Sequence, residues 1–154
     1  MSAPTVPALP LWQPWATLVA IEAKRVETRH WRCPRRLIGE RIAIHATKTR
    51  DWLKLCTEQP FYSYGLDPDQ LPLGALIATV VVDRCTLLTA ESAAELEQGN
   101  PDEFAFGNYE AGRFAWVLRD VRVLPAPVPW KGSQGIFSVP AHLVGCEPAQ
   151  MELA

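Results

Sequence analysis

The sequence predicts a small, mostly β barrel with short α-helices plugging its openings. Two long stretches predict it first. Gly74 to Leu88 is rich in β-branched residues, and Arg113 to Leu124 alternates apolar with polar; such runs form core strands. Arg41 to Thr47 alternates over a shorter length. Helical spacing is confined to brief segments between these runs, which leaves helices to cover the ends of a rolled sheet. With 154 residues, 48% hydrophobic and 21% charged, the chain is sized for one core and one domain.

Taken in order, residues 1–10 are small and proline-rich and are expected to be loosely held. The folded domain is expected over 11–140, with a tail over 141–154. Pro14 suits the first turn of a helix, and Trp15, Leu18, Val19 and Glu22 follow at helical spacing. In Arg41 to Thr47, Ile42 and Ile44 share one face, and Ala43 and His45 the other. A short helix is expected around Arg50 to Cys56, with Trp52, Leu53 and Cys56 inward. Residues 57–73, carrying Pro60, Gly65, Pro68 and Pro72, read as a long loop. Thr89 can cap a helix over Ala90 to Glu97 that ends near Gly99. In the strand after Arg113, Phe114, Trp116 and Leu118 share a face. Pro125, Pro127 and Pro129 are expected to stop its pairing, before a last short strand from Gly135 to Val139.

The net charge of −2 hides an asymmetry. Between Lys24 and Lys54 stand ten basic residues and three acids, a local charge of +7, against −9 for the remainder. A basic segment of this density attracts phosphate. No apolar run is long enough to cross a bilayer, and MSAPTVPALP lacks a basic start followed by an apolar stretch, so a soluble cytoplasmic protein is expected. Cys33, Cys56, Cys85 and Cys146 are scattered, with no C-x-x-C pair, and read as reduced thiols. His30, His45 and His142 have no second histidine at ligand spacing, so neither a metal nor a cofactor is expected.

Four short blocks occur in a telling order: Gln13-Pro14-Trp15-Ala16; Lys24, Glu27 and Arg29 followed by Trp31; Ile44-His45-Ala46-Thr47; and Phe106-Gly107-Asn108-Tyr109 through Gly112-Arg113-Phe114-Ala115-Trp116. They resemble the Q-P-W-A, G-x-K-x-x-E-x-R, I-H-A-[ST] and F-G-x-Y…G-R-[YF]-A-W blocks of the ASCH domain family (activating signal cointegrator homology). The loop with Gly132, Gln134 and Gly135 extends the resemblance to about residue 140. It implies a barrel related to the PUA RNA-binding module. One departure stands out: Glu22 occupies the place of the signature's leading glycine. A side chain there costs about 1 kcal/mol if the helix ends with positive φ.

Under strand alternation Glu27 and Arg29 share a side, and Lys24 joins them across a turn. Lysine beside a carboxylate can hold an anion or, when desolvated, act as a base; guanidinium is better suited to a phosphate fork. The same three residues would equally serve as a fold-stabilising ion network. Trp12, Trp15, Trp31 and Trp130 flank basic or glycine-rich positions, and stacking on such rings is how single-stranded nucleic acid and nucleosides are bound. Trp15 and Trp116 also read as core. Thr47 and Lys48 at a strand exit, and Lys131 and Ser133 in a glycine-bearing loop, are candidate phosphate contacts. Glu103 is the candidate acid–base partner of Lys24, and Tyr109 can stack on or hydrogen-bond a base.

The function expected is RNA or nucleotide binding, with Lys24, Glu27, Arg29 and Trp31 lining the cleft. The resemblance implies two enzymatic alternatives. One is hydrolysis of N(4)-acetylcytidine by Lys24, Glu27 and Glu103, although Glu27 stands where those relatives carry a threonine nucleophile and Thr28 points away. The other is metal-independent RNA cleavage involving Lys48, Tyr109 and Ser133. A coactivator-like protein-interaction module using the acidic half is the non-enzymatic alternative.

Overall fold

The structure, a computed structural model, describes residues 3–146. Its strands are β1 (Thr5–Leu11), β2 (Val26–Arg29), β3 (Arg41–Ala46), β4 (Ala75–Leu87), β5 (Phe114–Pro129) and β6 (Phe137–Pro140). Its α-helices are α1 (Trp15–Ala20), α2 (Ala90–Gly99) and α3 (Pro101–Phe106), and short 3₁₀ turns cover Arg35–Leu37, Leu53–Thr57, Phe61–Tyr64 and Ala141–Val144. No helix among the described residues is long and apolar enough to cross a membrane.

All six strands form one mixed sheet in the order β2-β5-β4-β3-β1-β6. The sheet is curled but not closed, which corrects the expected closed barrel. The edge strands β2 and β6 have four residues each and do not pair with one another. Side chains span the gap instead: Arg29 Nη2 on β2 donates to the Pro10 carbonyl on β1, at 3.0 Å. Register shifts at three places along the antiparallel β4–β5 pair let these long strands coil.

Of the stretch expected to be loosely held, residues 1 and 2 lie outside the described residues and Thr5–Leu11 forms β1. Pro4 accepts a backbone bond from Ala141, and β1 pairs with β3 in parallel and with β6 antiparallel. Pro7 and Pro10 break the apolar alternation that would have marked this strand, yet Ala8, Leu9 and Leu11 are buried. Of the expected tail, Ala141 and Val144 pack inward, and residues 147–154 lie outside the described residues.

The prolines of β5 interrupt its pairing with β4 between Val123 and Val128, as expected, but do not end it. Val128 and Pro129 are in register with Leu76 and Ala75 of β4. The Trp130 amide donates to the Gly74 carbonyl on the β4 side, so the nitrogen of Pro129, one residue away, points outward. Pro125 and Pro127 lie in the irregular stretch between Val123 and Val128, where β5 has no registered partner on β4. Their missing N–H groups fall where the ladder is already interrupted.

The helix expected over Arg50 to Cys56 is the 3₁₀ turn Leu53–Thr57, and the following loop contains a second such turn. α2 begins at Thr89 as expected, with reciprocal Thr89–Ser92 capping bonds. α3 was not expected, although Asn100 caps it, Pro101 opens it and Asp102 and Glu103 sit in its first turn.

The two faces of β3 divide the core. Ile42 and Ile44 pack with Leu9, Val80, Trp116, Leu118 and the α1 residues Ala16 and Val19. Ala43 packs on the other face with Ala8, Leu76 and Val139. Burial of both faces follows from the curl, because α1 fills the concave side.

Candidate functional site

Gln13 anchors α1 with both ends of its amide. Its oxygen accepts from Thr17 N at 2.9 Å and its nitrogen donates to the Pro72 carbonyl at 3.0 Å. Trp15 Nε1 donates to the Phe106 carbonyl, tying α1 to α3. The helix ends at Glu22, which adopts φ +63°, while Ala23 N and Lys24 N both close onto the Leu18 carbonyl. This left-handed turn is where the family signature has glycine, and it drops Lys24 into the interior just before β2.

Lys24 is 1% exposed. Its ammonium donates to the Val26 carbonyl and lies 3.5 Å from Glu27 Oε1. The other Glu27 oxygen accepts from Arg29 Nε at 3.0 Å. Glu27 thus holds two cations, one buried and one reaching the gap in the sheet. Strand alternation puts Glu27 and Arg29 side by side, as expected.

Glu103 is buried beside this network. One oxygen accepts from Arg25 N at 2.5 Å; the other has no hydrogen-bond partner among the described residues. Burial raises its pKa above the usual carboxylate range, and the Lys24 charge opposes that shift. The two residues do not form a direct ion pair. Tyr109 is buried too, stacked on Phe104 at 5.7 Å, with its hydroxyl unpartnered among the described residues. Burial, and then the Glu103 charge, push its pKa up. Its ring offers no open face for a base. Thr28 is buried and accepts from Asn108 N at 3.1 Å, so its hydroxyl is committed on the far side of β2.

The basic and aromatic surface lies outside this buried network. The Arg29 guanidinium sits 5.9 Å from the Trp31 ring centroid, and Trp31 meets Trp116 edge-on at 5.1 Å, so Trp31 has one side in the core. Trp12 is 49% exposed and stacks on Trp52 at 5.7 Å with 19° between planes. Trp15 closes the cluster edge-on, and Lys54 stands over Trp52. Trp52 was expected inward, and its place in this platform depends on a contact distant in sequence. Thr47 N donates to the Leu11 carbonyl next to Trp12, and Lys48 is exposed, its stem against Gly74. Lys131 and Ser133 are exposed on the loop after β5. That loop is held down by His45, whose Nε2 bonds the Trp130 carbonyl at 2.8 Å. A Cβ at Gly132 would stand 2.5 Å from the imidazole, so glycine is required there. The structure therefore brings Lys24, Glu27 and Arg29 together with Glu103 behind them. Lys131 and Ser133 belong to a separate loop near Gly74.

The model of the ASCH domain family matches residues 9–126. No curated protein matches the chain. Among solved structures, the chain is similar to ASCH from Zymomonas mobilis, at 17% identity, TM-score 0.54 and 86% coverage of both chains. It is likewise similar to a tyrosine-to-phenylalanine variant of that protein, at 16% identity, TM-score 0.54 and coverage of 86% of this chain and 88% of the other. The curled sheet, its α1 plug and the ordered Lys24–Glu27–Arg29 cluster are thus found in a chain matched over most of its length by one family model, and the chain belongs to the ASCH domain family.

Proposed function

We propose that this domain binds single-stranded RNA or its nucleotide units across the Trp12–Trp52 platform, with Arg29, Lys48 and Lys54 taking the phosphates. The half-exposed Trp12 ring, stacked on Trp52 with Lys54 beside it, carries this reading. A flat aromatic face open to solvent and flanked by cations fits base stacking combined with backbone neutralisation. Lys24 and Glu27 act from below: their ion pair fixes Arg29, whose guanidinium forks between Glu27 and the Pro10 carbonyl. The exposed Arg50, two residues before Trp52, adds positive charge beside the platform.

Binding of a labelled single-stranded RNA, followed by fluorescence anisotropy across a salt series, tests this. Affinity falls as salt rises, with a log–log slope of about −0.7 per phosphate contact. Trp12→Ala weakens binding by about 1–3 kcal/mol per stacked base, and Arg122→Ala leaves it unchanged. Binding that ignores salt, or a Trp12→Ala variant with wild-type affinity, removes the reading.

The buried pairing of Lys24 with Glu27, next to the unpartnered Glu103 oxygen, supports a second reading as an amide hydrolase on N(4)-acetylcytidine. Water attacks the acetyl carbonyl and its proton passes to Glu27. The carbon–nitrogen bond then breaks, the cytidine amine takes a proton, and acetate leaves. Acetate release by wild type, abolished in Lys24→Arg because guanidinium keeps its proton, separates this activity from binding alone.

A further inference from the structure

A second basic feature lies apart from the platform. Arg32, Arg35 and Arg84 line an open cleft of about 330 Å³ with Cys33, Cys85 and Ile38. It sits between the Arg35–Leu37 turn and the outer part of β4. The lining contains three guanidinium groups and no carboxylate. Arg32 is held in place by the Phe114 ring, 4.7 Å from its guanidinium carbon. Neither Arg32 nor Arg35 has an ion-pair partner among the described residues. Arg84 pairs with Asp83 at 2.6 Å, but that carboxylate is shared with Arg119 at 2.9 Å, so the cleft keeps its positive excess.

The floor adds no negative charge. Cys33 N donates to Cys85 Sγ at 3.3 Å, packing the two cysteines together. Burial, reinforced by Cys85 and opposed by Arg36, pushes the Cys33 thiol up to about 11, so it stays protonated. Planar guanidinium forks around a neutral floor match the oxygens of a phosphate group better than a carboxylate-bearing or cationic ligand.

We propose that the Arg32–Arg35–Arg84 cleft is a phosphate-binding site that takes a backbone phosphate of the bound RNA strand. The proposal rests on the RNA-binding reading and extends its footprint. Arg29 holds the Pro10 carbonyl two residues before Trp12, and the chain continues from Arg29 through Trp31 into Arg32 and Arg35. The six steps from Arg29 to Arg35 span at most about 22 Å, a reach compatible with the roughly 4–16 nucleotides that comparable single-strand sites cover.

The test compares wild type, the Arg35→Ala/Arg84→Ala double variant and Arg122→Ala, using labelled oligouridylate and, separately, inorganic pyrophosphate. Both substituted arginines of the double variant are exposed, and matching melting temperatures establish that it is folded. The expected result is an RNA salt slope shallower by about 0.7 in the double variant, for the one phosphate the cleft no longer holds, with Arg122→Ala unchanged. If wild type binds RNA, Trp12→Ala weakens it, and the double variant keeps the wild-type slope, the cleft assignment is overturned while the platform stands. If wild type binds no RNA, both fail. If pyrophosphate raises the wild-type melting temperature but the RNA slope does not change in the double variant, the cleft takes a free polyphosphate and the backbone assignment is overturned.

Discussion

Arg29 on β2 and Pro10 on β1 meet across the gap in the curled sheet, the guanidinium donating to the proline carbonyl at 3.0 Å. Three strands separate β2 from β1 along the sheet, so this contact does the joining that a closed barrel would obtain from a ladder. Because the same guanidinium also binds Glu27, closure of the fold and preparation of the candidate site depend on one side chain.

Arg29→Lys tests this double duty. A lysine can satisfy Glu27 or Pro10 but lacks the fork to hold both. Loss of one charge-assisted bond costs about 1.5–3 kcal/mol, read as a lower urea midpoint with an unchanged slope. A midpoint equal to wild type shows that the sheet holds its curl without the bridge.

Lys24 lies at the centre of a buried charge network, and removing one member of such a network costs about 3–5 kcal/mol. Lys24→Met is therefore strongly destabilising, because Glu27 loses its buried partner and Glu103 the buried charge that opposes its raised pKa. In the double variant Lys24→Met/Glu103→Gln part of this loss returns. Additive losses in a double-mutant cycle count against coupling between the two residues.

Glu103 also sets a pH signature. Its folded pKa is raised, mainly by burial, so the folded state holds the proton more tightly than the unfolded chain. Its contribution to stability is full below the ordinary carboxylate value and is lost as pH climbs through the raised one. Wild-type stability minus that of Glu103→Gln should fall with rising pH across that window. Paired urea titrations read the difference, and a flat or rising one refutes the assignment.

Glu22 occupies a left-handed turn at φ +63°. Glu22→Gly relieves strain of about 1 kcal/mol, partly offset by the greater freedom of glycine in the unfolded chain. A net gain of a few tenths to about 1 kcal/mol is expected, up to about 2–4 °C in melting temperature for a domain of this size. A lower melting temperature would mean that the Glu22 side chain makes a compensating contact.

The sequence carried β3, β4 and the Thr89-capped α2 plainly, because their periodicity and capping residues agree with the final fold. It concealed β1 and the far half of β5, where prolines stand in paired strands. Whether a proline breaks a strand depends on which edge its nitrogen faces, and neighbouring strands decide that. Lys24, Glu27 and Arg29 were legible as a cluster through their spacing and the family signature. The Trp12–Trp52 stack and the place of Arg84 in the arginine cleft were not, since both join residues remote in sequence. Asn100-Pro101 was a readable start for α3, and that helix buries Glu103.

The outward edge of β5 also bears on how copies of the chain meet. A bare strand edge invites a strand from another molecule to add to the sheet, the first step in domain swapping and fibre growth. Pro125, Pro127 and Pro129 carry no amide hydrogens, and the strand is irregular between Val123 and Val128, so an incoming strand meets a broken row of donors. The residues that look like interruptions in the sequence thus make this open border a poor template for an added strand.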